Sequence, residues 1–476
     1  MASLESHSLM KMINSRKVIP IMAPLVTVYL VNHNYGRFLE RSIQSVLDQE
    51  FQDYELIIVD DGSTDHSHAI LDKYELMKNI NVVRQQNKGL TVTNNIALKM
   101  SSGKYIMRLD ADDYLHPKAL GTLAGRLEED PALALVFPDY YEVDEYGKIL
   151  HHVKRHNFDD EVTLFDLPAH GACTMFRREV LRQVGGYDER FTRQDGYDIW
   201  LNIIDRFKVS NINEPLFYYR QHRNSLTRDE RALLETRAQI IRKHVKNRKK
   251  PQLNVISIIP VRGSSIDSRS DPLRIMGGKP LVNWTVSESI KSREVKNTLL
   301  STPDEDVIRH VNNEYGNLVR IHKRDAQLAR INVSLAETID QVLESIQPEE
   351  YPDAFFLLNM ESPFRTHLYI DKAIHVMQLY DVDVVIGVRM DDDMFYTHDG
   401  TGLKPRRGEG ILRLERDDLF RKVGGMTLVK TSFWRKEKRL IGGKIGHVIL
   451  DQKAALTIKS ETDWDIAEVM HSISKS

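Results

Sequence analysis

Cysteine is almost missing from this chain, with one in 476 residues. Disulfides within one copy are excluded, and Cys173, in the apolar run Ala172-Cys173-Thr174-Met175-Phe176, reads as a small buried side chain in a reducing compartment. A surplus of either charge is missing too: 66 Lys and Arg stand against 68 Asp and Glu, for a formal net charge of -2. That balance offers no electrostatic footprint for nucleic acid. No stretch approaches the roughly eighteen uninterrupted apolar residues of a membrane-spanning helix. Residues 1–23 mix Glu5, His7, Lys11, Arg16 and Lys17 with short apolar stretches, too broken for a signal peptide, so a soluble cytoplasmic protein is expected. Internal repeats and low-complexity segments are also lacking, and the length exceeds one ordinary core.

What is present is alternation. Val26-Thr27-Val28-Tyr29-Leu30-Val31-Asn32 reads as a buried strand, Asn34-Tyr35-Gly36 as a turn, and Phe38, Leu39, Ile43, Val46 and Leu47 recur at helical spacing. A second strand, Leu56-Ile57-Ile58-Val59, runs into Asp60-Asp61-Gly62-Ser63-Thr64-Asp65, where Ser63 or Thr64 is placed to cap the next helix. Strand and helix in turn predict a parallel sheet, whose ligands gather beyond the carboxyl ends of the strands. Tyr105-Ile106-Met107-Arg108-Leu109 is such a strand and ends in Asp110-Ala111-Asp112-Asp113. Carboxylates at i and i+2 can share a hard divalent cation, which can hold a diphosphate. Taken alone, an acidic loop is more often simply solvated.

Val59-Asp60-Asp61-Gly62-Ser63-Thr64-Asp65, Gln86-Asn87-Lys88-Gly89-Leu90 before a helix with Asn94, Asn95 and Ala97, and Asp110-Ala111-Asp112-Asp113 occur here in order. Phe176-Arg177-Arg178-Glu179-Val180, Gly185-Gly186-Tyr187-Asp188-Glu189, Gln194-Asp195-Gly196-Tyr197-Asp198-Ile199-Trp200-Leu201 and Tyr219-Arg220-Gln221-His222 follow. Together they resemble the inverting family 2 glycosyltransferases of the GT-A fold, over roughly residues 24 to 228. The resemblance implies a nucleotide-sugar donor, a divalent cation (Mg2+ or Mn2+), and a glycan, lipid-linked or protein acceptor in bacterial surface glycoconjugate assembly. It assigns nucleotide contacts to Asp60, Asp61, Lys88 and Asp110, and the metal to Asp112 and His222. Inverting transfer needs a base separate from the metal cluster. The resemblance puts it at Asp195, with Asp198 in reserve as a helix-start residue supporting the loop; His33 reads as structural.

Arg242-Lys243-His244-Val245-Lys246-Asn247-Arg248-Lys249-Lys250 marks a boundary. It reads as a solvated helix end and linker, and leaves peripheral membrane contact open. After Pro251 the alternation resumes with strands at Val255–Ile259, Phe355–Leu358 and Val382–Gly387, and with Leu335, Ile339, Val342 and Ile346 on one helix face. The expected architecture is α/β with two doubly wound domains: an extension at 1–23, a GT-A Rossmann-like domain at 24–228, a helical basic linker at 229–253 and a nucleotidyltransferase-like domain at 254–476.

The second half resembles the acylneuraminate cytidylyltransferases. The likeness rests on Ile259-Pro260-Val261-Arg262-Gly263-Ser264-Ser265, Gly278-Lys279-Pro280-Leu281-Val282, Ser301-Thr302-Pro303-Asp304-Glu305, Arg324-Asp325-Ala326-Gln327-Leu328-Ala329, Ser362-Pro363-Phe364-Arg365-Thr366 and Glu461-Thr462-Asp463-Trp464-Asp465. Where that family carries phosphate-binding lysine, lysine and asparagine, this chain has Ile266, Asp271 and Pro272; where it carries metal-binding aspartates, Thr457 and Lys459 stand. Asn359 and Val423 replace two more of its polar groups. A carboxylate in place of a cation turns several kcal/mol of attraction into repulsion at an effective dielectric of about 20. This half is therefore expected to lack transfer activity. Arg262, Lys279, Arg365 and Arg421 remain a candidate site for an anionic sugar or nucleotide, with a structural role equally open. Asp391-Asp392-Asp393 reads as a solvated loop. Assembly as a homo-oligomer through an excursion near Met390 to Leu419 is a compatible role, and a bifunctional enzyme that also makes a CMP-sugar is the alternative.

Overall fold

The computed structural model describes residues 23–163, 170–222, 229–263, 266–267, 271–391, 396–398, 400–405 and 419–473. The chain divides into two compact units, one ending at His222 and the other beginning at Arg223. Among the described residues, no helix is long and apolar enough to cross a membrane.

In the first unit, β1 (Val26–Asn32), α1 (Gly36–Leu47), β2 (Tyr54–Asp61), α2 (Ser67–Leu71), β3 (Ile80–Gln85), α3 (Leu90–Met100) and β4 (Tyr105–Asp110) alternate as expected. They are followed by β5 (Tyr114–Leu115), α4 (Ala119–Glu129), β6 (Leu133–Val143), β7 (Ile149–Val153), β8 (Met175–Arg177), α5 (Arg178–Gln183), α6 (Asp195–Ile203) and β9 (Lys208–Arg220). The sheet order is β3-β2-β1-β4-β8-β6-β9-β5, with β7 paired to β6. Every residue of β1 is buried, because helices cover both faces of a parallel sheet and its strands read as unbroken apolar runs. The parallel run β3-β2-β1-β4 ends at β4; β8 runs antiparallel to both β4 and β6, and β6 then pairs parallel with β9. The sheet is thus mixed.

Neither Ser63 nor Thr64 caps the second helix, which starts at Ser67 with His66 before it. Ser63 Oγ instead accepts from Asn34 N and from Asn32 Nδ2, both at 2.9 Å, because buried Asp60 needs that hydroxyl beside it. Gly62 sits at φ +74°, and a Cβ there would lie 2.6 Å from Asn87 N, so only glycine lets the loops after β2 and β3 meet. Farther along the sheet, Trp200 is enclosed edge-on by Phe137 and Phe158 at centroid distances of 6.2 and 5.9 Å. Truncating it to alanine would cost about 3–5 kcal/mol.

The second unit opens with α7 (Glu230–Asn247), whose first turn is capped by Asp229 through Ala232 N. This segment, expected as a linker, is a helix within the second unit: Glu230 pairs with Arg389 at 3.0 Å. Then come β10 (Val255–Pro260), β11 (Ile275–Met276), β12 (Lys279–Pro280), α8 (Leu281–Lys291), β13 (Val295–Thr302), α9 (Glu305–Tyr315), β14 (Val319–Lys323), α10 (Ala336–Glu344) and β15 (Ala354–Leu358). The chain continues with α11 (His367–Tyr380), β16 (Val384–Asp391), β17 (Tyr396–His398), β18 (Leu403–Pro405), β19 (Leu419–Lys430), α12 (Thr431–Glu437), β20 (Ile445–Ile449) and α13 (Glu461–Ile473). Its main sheet runs β14-β13-β10-β15-β19-β16-β20, with β19 antiparallel to both neighbours.

Candidate active site

Register brings the acidic strand ends of the first unit together. Asn32 at the end of β1 pairs with Asp60 of β2, and Val31 with Asp110 of β4. Asp60 accepts from Asn32 Nδ2 at 2.7 Å and contacts His68 Nε2 at 3.1 Å. Asp61 accepts from Lys88 N, Gly89 N and Gln85 Nε2, each at 2.8 Å. Both carboxylates therefore shape the loops of the cleft, and Lys88 leaves its side chain exposed above them.

The Asp-x-Asp segment is gripped from β9. Arg220 N donates to Asp113 Oδ1 at 2.8 Å and Arg220 Nε to the Asp112 carbonyl at 2.7 Å, while His222 Nε2 meets Asp112 Oδ2 at 2.9 Å. The His222 ring lies between Tyr35 and Phe38, with centroids 5.5 and 5.3 Å away. A quarter of the Asp110 side chain opens to the cleft. Burial still pushes its carboxyl up to about 6 against the opposing pull of Arg108, and Asp112 adds to the rise. Burial pushes Asp113 up as well, with Asp112 and Asp110 behind it.

His170 is a residue that sequence reasoning missed. One ligating atom from each of Asp110, Asp113 and His170 lies within 4.8 Å of the others. Ala172 N donates to His170 Nδ1 at 3.1 Å, and burial, with Arg108, drops the imidazole to about 3. It is thus neutral, and with Nδ1 accepting from Ala172 N it carries its proton on Nε2. Asp113 Oδ2 is buried without a hydrogen-bond partner. Three crowded carboxylates and an orphaned carboxylate oxygen fit a hard divalent cation.

Asp195 opens α6 and is buried. Its Oδ2 accepts from Asn94 Nδ2 at 2.9 Å and from Arg108 Nη1. Arg108 also reaches forward along its own strand, with Nε 3.0 Å from Asp110 Oδ1. Asp198, one turn later, is buried and accepts from Asn202 Nδ2 at 3.4 Å within the same helix. Cys173 is buried as expected, and burial pushes its thiol up.

In the second unit, a cavity of about 550 Å³ opens past the ends of β10 and β15, between Arg262, Arg324, Asn359 and Trp464. Asp271 and Lys459, the positions with reversed charge, both line it. Arg262 lies 3.7 Å from Asp267, and Arg274 pairs with Glu461 at 2.8 Å. The other three candidate cations have different surroundings. Lys279 Nζ sits 3.9 Å from the Trp284 ring centroid, and Arg421 pairs with Asp391 at 3.2 Å. Arg365 Nη1 donates to the carbonyls of Gly424 and Gly425 at 2.6 and 3.0 Å, and burial lowers its guanidinium to about 10. Asp392, Asp393 and residues 406–418 of the expected excursion lie outside the described residues, as do residues 1–22.

The sequence profile of Glycosyl transferase family 2 matches residues 27–185. Chondroitin synthase of Escherichia coli is 28% identical over 192 residues, 40% of this chain and 28% of that protein. Hyaluronan synthase of Pasteurella multocida is 28% identical over 209 residues, 42% of this chain and 21% of that protein. An uncharacterized glycosyltransferase of Methanocaldococcus jannaschii is 31% identical over 207 residues, 41% of this chain and 71% of that protein. The chain thus spans only 21% to 28% of the length of the two synthases.

Proposed function

Since this chain belongs to glycosyl transferase family 2, we propose that its first unit moves a sugar, with inversion, from a nucleotide-sugar donor to an acceptor hydroxyl. The observation that carries this reading is the meeting of Asp110, Asp112, Asp113 and His222 at the strand ends, with a separate carboxylate, Asp195, held from one side. Asp112 and His222 would hold a divalent cation, Mg2+ or Mn2+, which when bound neutralises charge on the donor diphosphate. Asp60, Asp61, Lys88 and Asp110 form the nucleotide end of the cleft. Asp195 takes the acceptor proton as the acceptor oxygen bonds to the anomeric carbon. The bond from that carbon to the diphosphate oxygen breaks on the opposite face, and its electron pair leaves with the nucleoside diphosphate. Asp198 supports the helix start.

The names of the two synthases favour a glycan acceptor; on this reading the enzyme is cytoplasmic, able to associate with the cytoplasmic face of the membrane, and serves bacterial surface glycoconjugate assembly. Lipid-linked and protein acceptors belong to the same test. The second unit is read as a cytidylyltransferase-like domain without transfer activity, serving assembly of a homo-oligomer or binding of an anionic ligand near Arg262. Asp271 and Lys459 in one cavity wall support that reading over a bifunctional enzyme.

The test is a panel of UDP-, GDP-, TDP- and CMP-sugars, with Mn2+ or Mg2+ and with chondroitin, hyaluronan or lipid-linked oligosaccharide added. Cation-dependent nucleotide release with one donor is expected, rising when the right acceptor is present. No release with any donor overturns the proposal.

A further inference from the structure

Arg108 is the least expected residue of β4. It is an arginine set within the apolar part of the strand, Tyr105–Leu109, and its side chain is 6% exposed. Burying a guanidinium is costly unless carboxylates surround it, and an apolar side chain of similar size would usually be the cheaper occupant. Here one guanidinium touches two carboxylates from distant parts of the sequence: Asp110, two residues on, and Asp195, 87 residues on. Burial works against its charge, yet the nearby Asp110 and Asp195 hold it well above the usual arginine range. The surroundings are built to admit it. A Cβ on Gly171 would stand 2.9 Å from Arg108 Nη2, and a Cβ on Gly196 would stand 3.3 Å from the Gly171 Cα. Gly171, before β8, thus leaves the space that the guanidinium fills, and Gly196, in the first turn of α6, lets the two backbones approach there.

The consequence lies in the carboxylate of Asp195. Arg108 and Asn94 both donate to Oδ2, so among the described residues Oδ1 has no hydrogen-bond donor assigned to it. We propose that Arg108 is the positioning residue of the transfer reaction: by clamping Oδ2 of Asp195 while touching Asp110, it aims Oδ1 at the acceptor hydroxyl and ties that aim to the donor-side carboxylates. The inference rests on the reading of Asp195 as the base. The proton passes from the acceptor hydroxyl to Oδ1, and Arg108 neither gains nor loses one.

A double-mutant cycle in the full-length protein tests this, using whichever nucleotide-sugar of the panel turns over fastest. Asp195→Asn alone should lower turnover by about two to four decades; if it does not, the base reading fails, and this inference with it. Arg108→Gln should lower kcat by about 10–100-fold with donor KM changed less than about threefold. In the Asp195→Asn background the same change should alter kcat less than about twofold, because the clamp then has nothing to aim. A merely structural arginine would give losses that multiply, and that result overturns the proposal while leaving the base in place. Arg108→Lys, a point charge that cannot reach both carboxylates at once, should recover part of kcat. If Arg108→Gln does not fold, Asn94→Ala repeats the cycle, since it removes the other donor to Oδ2. Equal losses with and without Asp195 then overturn the inference.

Discussion

Asp112 and His222, 110 positions apart in the chain, meet with 2.9 Å between Oδ2 and Nε2. Arg220, two residues before His222 at the end of β9, holds the Asp112 side of the contact by donating to the Asp113 side chain and the Asp112 carbonyl. Asp112 and His222 would hold a divalent cation there, which would supply charge neutralisation for a donor diphosphate.

Asp112→Ala should abolish the cation dependence of nucleotide binding. His222→Ala should weaken it by at least the 10–100-fold or so that removing a supporting partner of a metal site costs. Calorimetry with UDP and with GDP, each with and without Mn2+, measures both. Cation-dependent binding by Asp112→Ala at wild-type strength would show that the cation sits elsewhere in the acidic cluster.

The two acids at the start of α6 should separate cleanly. Asp195→Asn should bind UDP or GDP with Mn2+ as the parent protein does and lose about two to four decades of turnover. Asp198→Asn, whose carboxylate is buried beside Asn202 in its own helix, should stay near wild-type turnover. Reversed outcomes would make Asp198 the base.

Lys372 sets a pH dependence of stability in the second unit. Burial lowers its ammonium from 10.5 to about 7, and Arg237 adds to the drop. The folded chain thus releases this proton near pH 7, whereas the unfolded chain keeps it until about pH 10.4. Between those values the unfolded state binds more protons, so stability rises with pH, by at most about 4–5 kcal/mol over the window. The penalty is fully present below pH 7. Lys372→Met should therefore raise the melting temperature clearly at pH 6 and little at pH 10, and equal shifts at both would contradict a depressed lysine.

Given CTP, magnesium and a range of sialic-acid-type sugar acids, the full-length protein should release no pyrophosphate above background. The departing pyrophosphate needs positive charge around it, and Asp271 lines the cavity at the position where the resemblance puts a lysine. Robust formation of a CMP-sugar, seen by pyrophosphate-coupled assay, would make the bifunctional reading the better one.

The parallel strands were the easiest parts to read, because burial on both faces leaves a continuous apolar run such as Val26–Val31. The short return strand Met175–Arg177 was not, since three residues set no period. Nor did the resumed alternation after Pro251 signal that β19 would insert antiparallel between β15 and β16. At the site, the Asp clusters were legible as motifs at strand ends, but their partners were not. Arg108 left one signal, a lone charge inside Tyr105-Ile106-Met107-Leu109, whereas His170 left none that separates it from a loop histidine. Arg262 and Arg365 look alike in sequence. Whether a guanidinium faces a cavity or a ring of carbonyls is decided by the packing of Gly424 and Gly425, far along the chain.

The three donors on Asp61 set a rule for redesign. Substituting that residue to change nucleobase preference would release the backbone of Lys88 and Gly89 and the amide of Gln85 in the same step, so altered selectivity would arrive together with a collapsed loop. His33 and Asn87, exposed with ring and amide 3.1 Å apart, are tied into the same loops, His33 Nδ1 to the Asp61 carbonyl at 2.8 Å and Asn87 Oδ1 to Gly89 N at 3.2 Å. A mutational library aimed at donor choice therefore leaves these three positions alone.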